Sequence, residues 1–215
     1  MDYRDSVDLS DSHTQRASGG GGGGRMALGG GVGGLVLMLL VVFVGPRLGI
    51  NVSDLLGSGS GQDTQPVVQG SDLDHCKQKD VNVNANRECR WLLYEKVLQS
   101  YWSKTATNYK YATVKLFSGT INTACGVGQT EMGPFYCSGD STVYIDDSYV
   151  GQLLKQLGAS GGDAAELYIV AHEFGHHVQN LDGTMRKVTR GTGADSAQVR
   201  LELQADCYAG VVFNQ

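Results

Sequence analysis

The chain has 215 residues, with 17 basic against 22 acidic side chains, a net charge of -5, 41% apolar residues, only 3 prolines and 31 glycines. That length suits one domain, and a weakly acidic chain lacks the basic surface on which nucleic-acid binding rests, so no nucleic-acid partner is expected. Residues 1–70 hold 17 of the glycines, so two compositional regimes are joined, and ordinary globular usage begins near Ser71.

Residues 1–25 carry four Asp, six consecutive Gly and almost no large apolar side chain. They bury too little to offset the entropy of ordering, and the expectation is a disordered Gly-rich head. Residues 26–45 contain 20 positions without a charge, which as a helix reach about 30 Å, the hydrocarbon thickness of a bilayer. A single transmembrane helix is expected there. A cleaved signal peptide is the weaker reading, because no A-x-A-like site is present and Pro46 follows the stretch. Arg4 and Arg16 tip the N-terminus toward the cytoplasm. Gly29, Gly30, Gly33 and Gly34 form small-xxx-small spacings, which suggest a weak homodimer through the span. Residues 46–70, with GSGSGQ and little that could pack, read as a flexible tether. The folded domain is expected at 71–215.

Five cysteines follow the span. Cys76 and Cys89 flank one short polar loop, and Cys125 and Cys137 flank another. These two pairs are disulfide candidates, which places the domain in an oxidising, extracytoplasmic compartment of a single-pass membrane protein. Cys207 is left over and reads as a buried small apolar residue. The run from Asp80 to Asn86 resembles the start of a calcium loop, but Ala85 stands where the turn needs Gly and Trp91 where a bidentate Glu should sit.

Trp91, Leu92, Leu98, Tyr101 and Trp102 recur at helical spacing and predict a helix over 87–102. Three short extended segments, 112–117, 133–137 and 142–146, are separated by turn residues and predict a small antiparallel sheet. A short helix is expected at 149–157. Asp163 is expected to cap a longer helix at 164–180, ended by Gly183, and a last helix runs from Ser196 to the chain end.

The long helix carries His172-Glu173-Phe174-Gly175-His176, an H-E-x-x-H motif. Residues i and i+4 share a helix face, so two imidazoles there can reach one zinc ion while Glu173 flanks it as a general base for a zinc-activated water. With 5 His in the chain, random placement yields only about 0.003 such motifs. A catalytic zinc needs a third protein ligand. His177 points about 100° away round the helix. Glu202 and Asp206 lie one turn apart on the last helix, where one carboxylate can ligate and the other can orient a histidine. The spacing does not choose between them.

HEFGHHVQN at 172–180 and ELQADCYAG at 202–210 resemble the neutral zinc metallopeptidases, bacterial single-span membrane proteins of the zincin class. Cys76-Lys-Gln, Asn86-Arg-Glu-Cys89-Arg, Trp102, Thr123-Ala-Cys125-Gly, Gly133-Pro-Phe-Tyr-Cys137 and Val143-Tyr-Ile-Asp146 are similar to the same family. The resemblance implies an α+β zincin-like fold in which a small sheet packs on the active-site helix and a second, ligand-bearing helix. It implies one Zn2+ per chain held by His172, His176 and Glu202, with Glu173 as general base and Asp206 orienting a ligand. It also implies that the strand around Tyr144 forms the sheet edge beside the site, where a peptide or protein substrate adds as a strand. Family members continue past the ADCYAG helix, so the resemblance implies a domain truncated at its C-terminal end. The function expected is hydrolysis of peptide bonds, and the alternative is a catalytically silent zinc-binding scaffold of the envelope.

Overall fold

The computed structural model describes residues 7–17, 73–156, 158, 162–188, 193 and 195–214. The expected span at 26–45 and tether at 46–70 lie outside the described residues. No helix among the described residues is long and apolar enough to cross a membrane. In chain order the elements are β1 (Thr14–Arg16), a 3-10 turn (Leu73–Lys77), α1 (Arg87–Thr105), β2 (Thr113–Phe117), β3 (Thr120–Thr123) and β4 (Gly126–Gln129). A second 3-10 turn (Thr130–Met132) precedes β5 (Phe135–Cys137), β6 (Thr142–Asp146), α2 (Asp147–Gln156), α3 (Asp163–Leu181), α4 (Thr184–Lys187) and α5 (Ala197–Val212).

The main sheet has the order β1-β2-β6-β5, and β3 and β4 form a separate antiparallel hairpin. The sheet is mixed, which corrects the expected antiparallel arrangement. β1 pairs parallel to β2 and β2 parallel to β6, while β5 alone runs antiparallel to β6. A parallel pair needs a crossover of a dozen or more residues, and the chain between β2 and β6 supplies it through the β3–β4 hairpin and β5. Tyr144 lies on β6, an interior strand, so the expectation that it stands at the sheet edge is overturned. The edge strands are β1 and β5.

The expectation of a disordered head is also corrected, for residues 7–17. Thr14, Gln15 and Arg16 pair with Val114, Lys115 and Leu116. Leu9 is fully buried in the core, worth about 2 kcal/mol on its own. Ser12 Oγ donates to the buried Glu95 carboxylate at 2.7 Å, and Arg16 donates to Glu88 at 2.7 Å. An acidic, Gly-flanked segment is held here by a few specific long-range contacts rather than by an apolar stripe.

One core cluster joins Trp91, Leu92 and Leu98 of α1, Val114 and Leu116 of β2, Val143 and Ile145 of β6, and Val170, Ala171 and Phe174 of α3. Its α1–α3 seam is tied by a half-buried polar clamp. Arg87 donates through Nε and Nη2 to Glu166 Oε1 and through Nη1 to the Asp147 carbonyl, while the Tyr94 hydroxyl reaches Glu166 Oε2. This clamp fixes the first turn of α3 and so the position of everything one and two turns further on. α3 begins after Gly162, whose φ of 110° favours glycine, so Asp163 opens the helix rather than capping it. α5 starts as expected on Ser196, whose hydroxyl accepts from the Val199 N–H.

Both expected disulfides are formed, Cys76–Cys89 and Cys125–Cys137. The first ties the 3-10 turn to the first turn of α1, and the second ties the start of β4 to the end of β5. Each closes a loop worth up to about 3 kcal/mol in the chain-entropy model. Cys207 is exposed rather than buried, because it lies on the outer face of α5 beside the 61% exposed Leu203.

Candidate metal centre

His172 and His176 sit one turn apart on the face of α3 that packs against α5, with ring centroids 4.7 Å apart. α5 approaches closely because residue 175 is glycine. A Cβ built there would lie 3.0 Å from Ala205 Cα and from its carbonyl oxygen, so any side chain would push the two helices apart. Gly210, near the end of α5, meets open space. The contact of Gly175 with Ala205 brings Glu202, one turn before Ala205, beside both rings. Glu202 Oε2 lies 3.1 Å from His176 Nε2 and 3.4 Å from His172 Nε2. One donor atom from each of His172, His176 and Glu202 falls within 4.8 Å of the other two.

Both separations are in ion-pair range but lack hydrogen-bond geometry. His172 Nε2, His176 Nε2, both Glu202 carboxylate oxygens and Glu173 Oε2 are all buried without a hydrogen-bond partner. An orphaned buried polar atom costs about 1–3 kcal/mol, so those of His172, His176 and Glu202, which share one place, fit a group that serves all three residues. The donor set of two imidazoles and a carboxylate suits a divalent ion such as zinc.

The other ring nitrogens are fully engaged. His172 Nδ1 lies 2.8 Å from Asp206 Oδ1, which also accepts from the Tyr168 hydroxyl at 2.9 Å. His176 Nδ1 donates to Gln179 Oε1 at 2.9 Å, and the Gln179 amide donates in turn to the Leu201 carbonyl and to Gln204. Both imidazoles are thereby held with the proton on Nδ1 and the Nε2 lone pair aimed at the shared point. Glu202 and Asp206, which the spacing left equivalent, are distinguished by this geometry: Glu202 faces the Nε2 atoms and Asp206 the far side of one ring.

The electrostatics follow from burial opposed by charge. At His172 burial disfavours the imidazolium, but Asp206, Glu202 and Glu173 outweigh it and the group is pushed up to about 10. His176 is raised against the same opposition by Glu202 and Glu173. Burial pushes the Glu202 carboxyl up, yet the two imidazoles win and hold it below the usual carboxylate range. Asp206 is likewise lowered, burial being outweighed by its bond to His172. The site thus has a net appetite for positive charge between its carboxylates, supplied by protons on the rings or by a metal that displaces them. Glu173 behaves differently: burial raises its pKa, against the pull of the two histidines.

His177, the next residue after His176, is not brought to the site. Its Nε2–H donates to the Lys110 carbonyl at 2.6 Å, and its Nδ1 accepts from the Tyr136 hydroxyl at 3.0 Å. That hydroxyl also accepts from the Asn180 amide at 2.9 Å. Burial lowers the pKa of His177, and every polar atom of the ring is satisfied. Tyr144 is not brought to the site either; its ring stacks on Phe135 at 5.0 Å and its hydroxyl donates to Asp140. The edge strand against α3 is β5. Sequence reasoning missed Gln179, Tyr168 and Tyr136. Gln179 was accessible, because it stands at i+3 from His176 on the same helix face.

These features define an α+β domain whose long helix presents two histidines and a glutamate to a carboxylate from a second helix. The chain belongs to the family described as "Putative neutral zinc metallopeptidase", whose model matches residues 1–215. It is 42% identical over 167 residues to the uncharacterized protein Rv2575 of Mycobacterium tuberculosis, covering 76% of this chain and 56% of that protein. It is 36% identical over 181 residues to the uncharacterized protein YpfJ of Escherichia coli, covering 80% of this chain and 60% of that protein. The chain therefore spans less than two-thirds of the length of these curated relatives. No solved structure matches it. Zinc is the metal that the family implies.

Proposed function

We propose that the chain carries the catalytic centre of a zinc-dependent peptidase that hydrolyses peptide bonds, with His172, His176 and Glu202 holding one Zn2+. The observation that carries this reading is that His172, His176 and Glu202 bring donor atoms within 4.8 Å of one another, with the Nε2 atoms of both rings and both Glu202 oxygens buried and unpartnered. Zinc, when bound, supplies Lewis acidity that lowers the pKa of a water and polarises a carbonyl. Glu173, next to His172 in sequence and with its Oε2 buried and unpartnered, accepts the proton of the attacking water and returns it to the leaving amine. Asp206 and Gln179 hold the two imidazoles in the ligating tautomer, and Tyr168 holds Asp206. The β5 edge beside Glu173 offers a peptide substrate a strand to pair with, in place of the β6 position first expected. The two disulfides favour an oxidising compartment outside the cytoplasm, and residues 26–45 favour attachment to a membrane.

The test uses purified full-length protein. Zinc should approach one per chain and fall on His176→Ala, and Glu173→Gln should retain zinc while cleavage of a peptide library drops at least 100-fold. Zinc retained by a wild type that cleaves no peptide would leave a metal-bound binding module instead.

A further inference from the structure

Among the described residues, one other corner gathers three potential metal donors besides the centre on α3 and α5. His75 and Cys76 lie on the first 3-10 turn, and Glu88 and Cys89 lie in the first turn of α1. A donor atom from each of His75, Cys76 and Cys89 falls within 4.8 Å of the other two. His75 Nε2 is 3.3 Å from Cys76 Sγ and 2.8 Å from Glu88 Oε1. Arg16 holds the other carboxylate oxygen, Glu88 Oε2, at 2.7 Å, and so leaves Oε1 to the imidazole. Both cysteines are fully buried, whereas the His75 and Glu88 side chains are 37% and 27% exposed, so an ion has a way in from the histidine side.

In the oxidised chain the two sulfurs are bonded to each other, and the metal ligand is the thiolate. Reduction turns the corner into two thiolates, an imidazole nitrogen and a carboxylate oxygen, the donor types and number of a closed tetrahedral zinc site. Zn–S bonds of about 2.3 Å set two such thiolates about 3.8 Å apart, inside the 4.8 Å that already groups the donors. We propose that His75, Cys76, Cys89 and Glu88 form a second zinc site that is filled in the reduced chain and abolished when the Cys76–Cys89 disulfide forms. On loading, zinc displaces one proton from each thiol to solvent. On oxidation, a disulfide of an oxidising partner takes two electrons from the two thiolates and becomes a dithiol, the Cys76–Cys89 bond forms, and the zinc leaves. The 3-10 turn and α1 are thus tied together in both states, by a metal before oxidation and by a covalent bond after it. No cysteine belongs to the centre of His172, His176 and Glu202, so this site stands apart from the peptidase reading.

Cobalt(II) tests it, because a thiolate-to-cobalt charge-transfer band in the near ultraviolet reports sulfur ligation that the centre on α3 and α5 does not supply. The full chain carrying Cys125→Ser, Cys137→Ser and Cys207→Ser keeps only Cys76 and Cys89 as cysteines. It is unfolded with a dithiol, freed of it, and refolded either without oxygen or in air. The reduced chain should bind one more equivalent of cobalt than the oxidised chain, with the band in the reduced chain alone. Zinc should displace that cobalt, His75→Ala should weaken its binding at least about tenfold, and oxidation should release it. Equal stoichiometry in the two states, no band in the reduced chain, or a band indifferent to His75→Ala would overturn the proposal, as would a band carried by a chain that has lost its native near-ultraviolet circular dichroism. Should the triple variant fail to fold, Cys207→Ser alone, with Cys125 and Cys137 kept, must show the same His75-dependent band. The sulfur-free centre is read separately from the metal bound by the oxidised chain, so either site can fail without the other.

Discussion

The two edges of the sheet are built on opposite principles. At the β1 edge most polar groups are paired, Glu95 with Ser12 and His13, Arg16 with Glu88, Lys96 with Asp11, and the unpartnered Thr14 Oγ1 and Arg16 Nε do not converge on a metal-ligating group. At the β5 edge, α3 presents buried nitrogens and oxygens without partners. Satisfied groups hold a structure together, whereas a cluster of unsatisfied ones costs stability unless a ligand repays it, which is why the second edge reads as the working one. The same contrast divides neighbouring residues of one helix. His176 has one ring nitrogen free, and His177 has both engaged.

The largest effect should come from the paired edge. Leu9→Ala is expected to lower unfolding free energy by about 2–5 kcal/mol through the cavity it leaves, measured by denaturant titration, with zinc stoichiometry unchanged. A variant as stable as wild type would remove residues 7–17 from the domain and collapse the comparison. At the working edge, Gln179→Leu leaves the His176 Nδ1–H without an acceptor and loosens the link to α5. Zinc affinity, measured by competition with a chromogenic chelator, should fall about 10–100-fold while the fold persists.

The smallest effect concerns pH. His177 has a lowered pKa in the folded state because it is buried. The unfolded chain takes up that proton near pH 6.5 and the folded chain resists it, so this contribution to stability is present above about 6.5 and lost as pH falls. His177→Gln should therefore flatten the acid side of the stability curve between about pH 7 and pH 5, by no more than about 1.4 kcal/mol per pH unit. An unchanged slope would show that His177 does not titrate with unfolding.

Much of this was legible in the sequence where local periodicity and chemistry coincide. The helix around Trp91 and Trp102, the helix bearing HEFGH and the last helix follow from spacing alone, whereas the cysteine spacing suggests the two pairs without fixing their connectivity. β1 was not legible, since Thr-Gln-Arg has no apolar alternation and its pairing partner lies about a hundred residues away. The β3–β4 hairpin was hidden because TINT and GVGQ read as turn composition. The parallel pairing of β2 with β6 is a topological fact that strand spacing does not encode. Glu202 and Asp206 lie on one helix face, so only the approach of α3 to Ala205 through Gly175 distinguishes them.

The central claim is that His172, His176 and Glu202 share one ion, and zinc K-edge absorption of the purified full chain tests it most directly. The account predicts nitrogen and oxygen scatterers at about 2.0–2.1 Å with imidazole outer-shell features of two histidines, reduced to one in His176→Ala. A sulfur scatterer at about 2.3 Å, or a spectrum unchanged by His176→Ala, would contradict it.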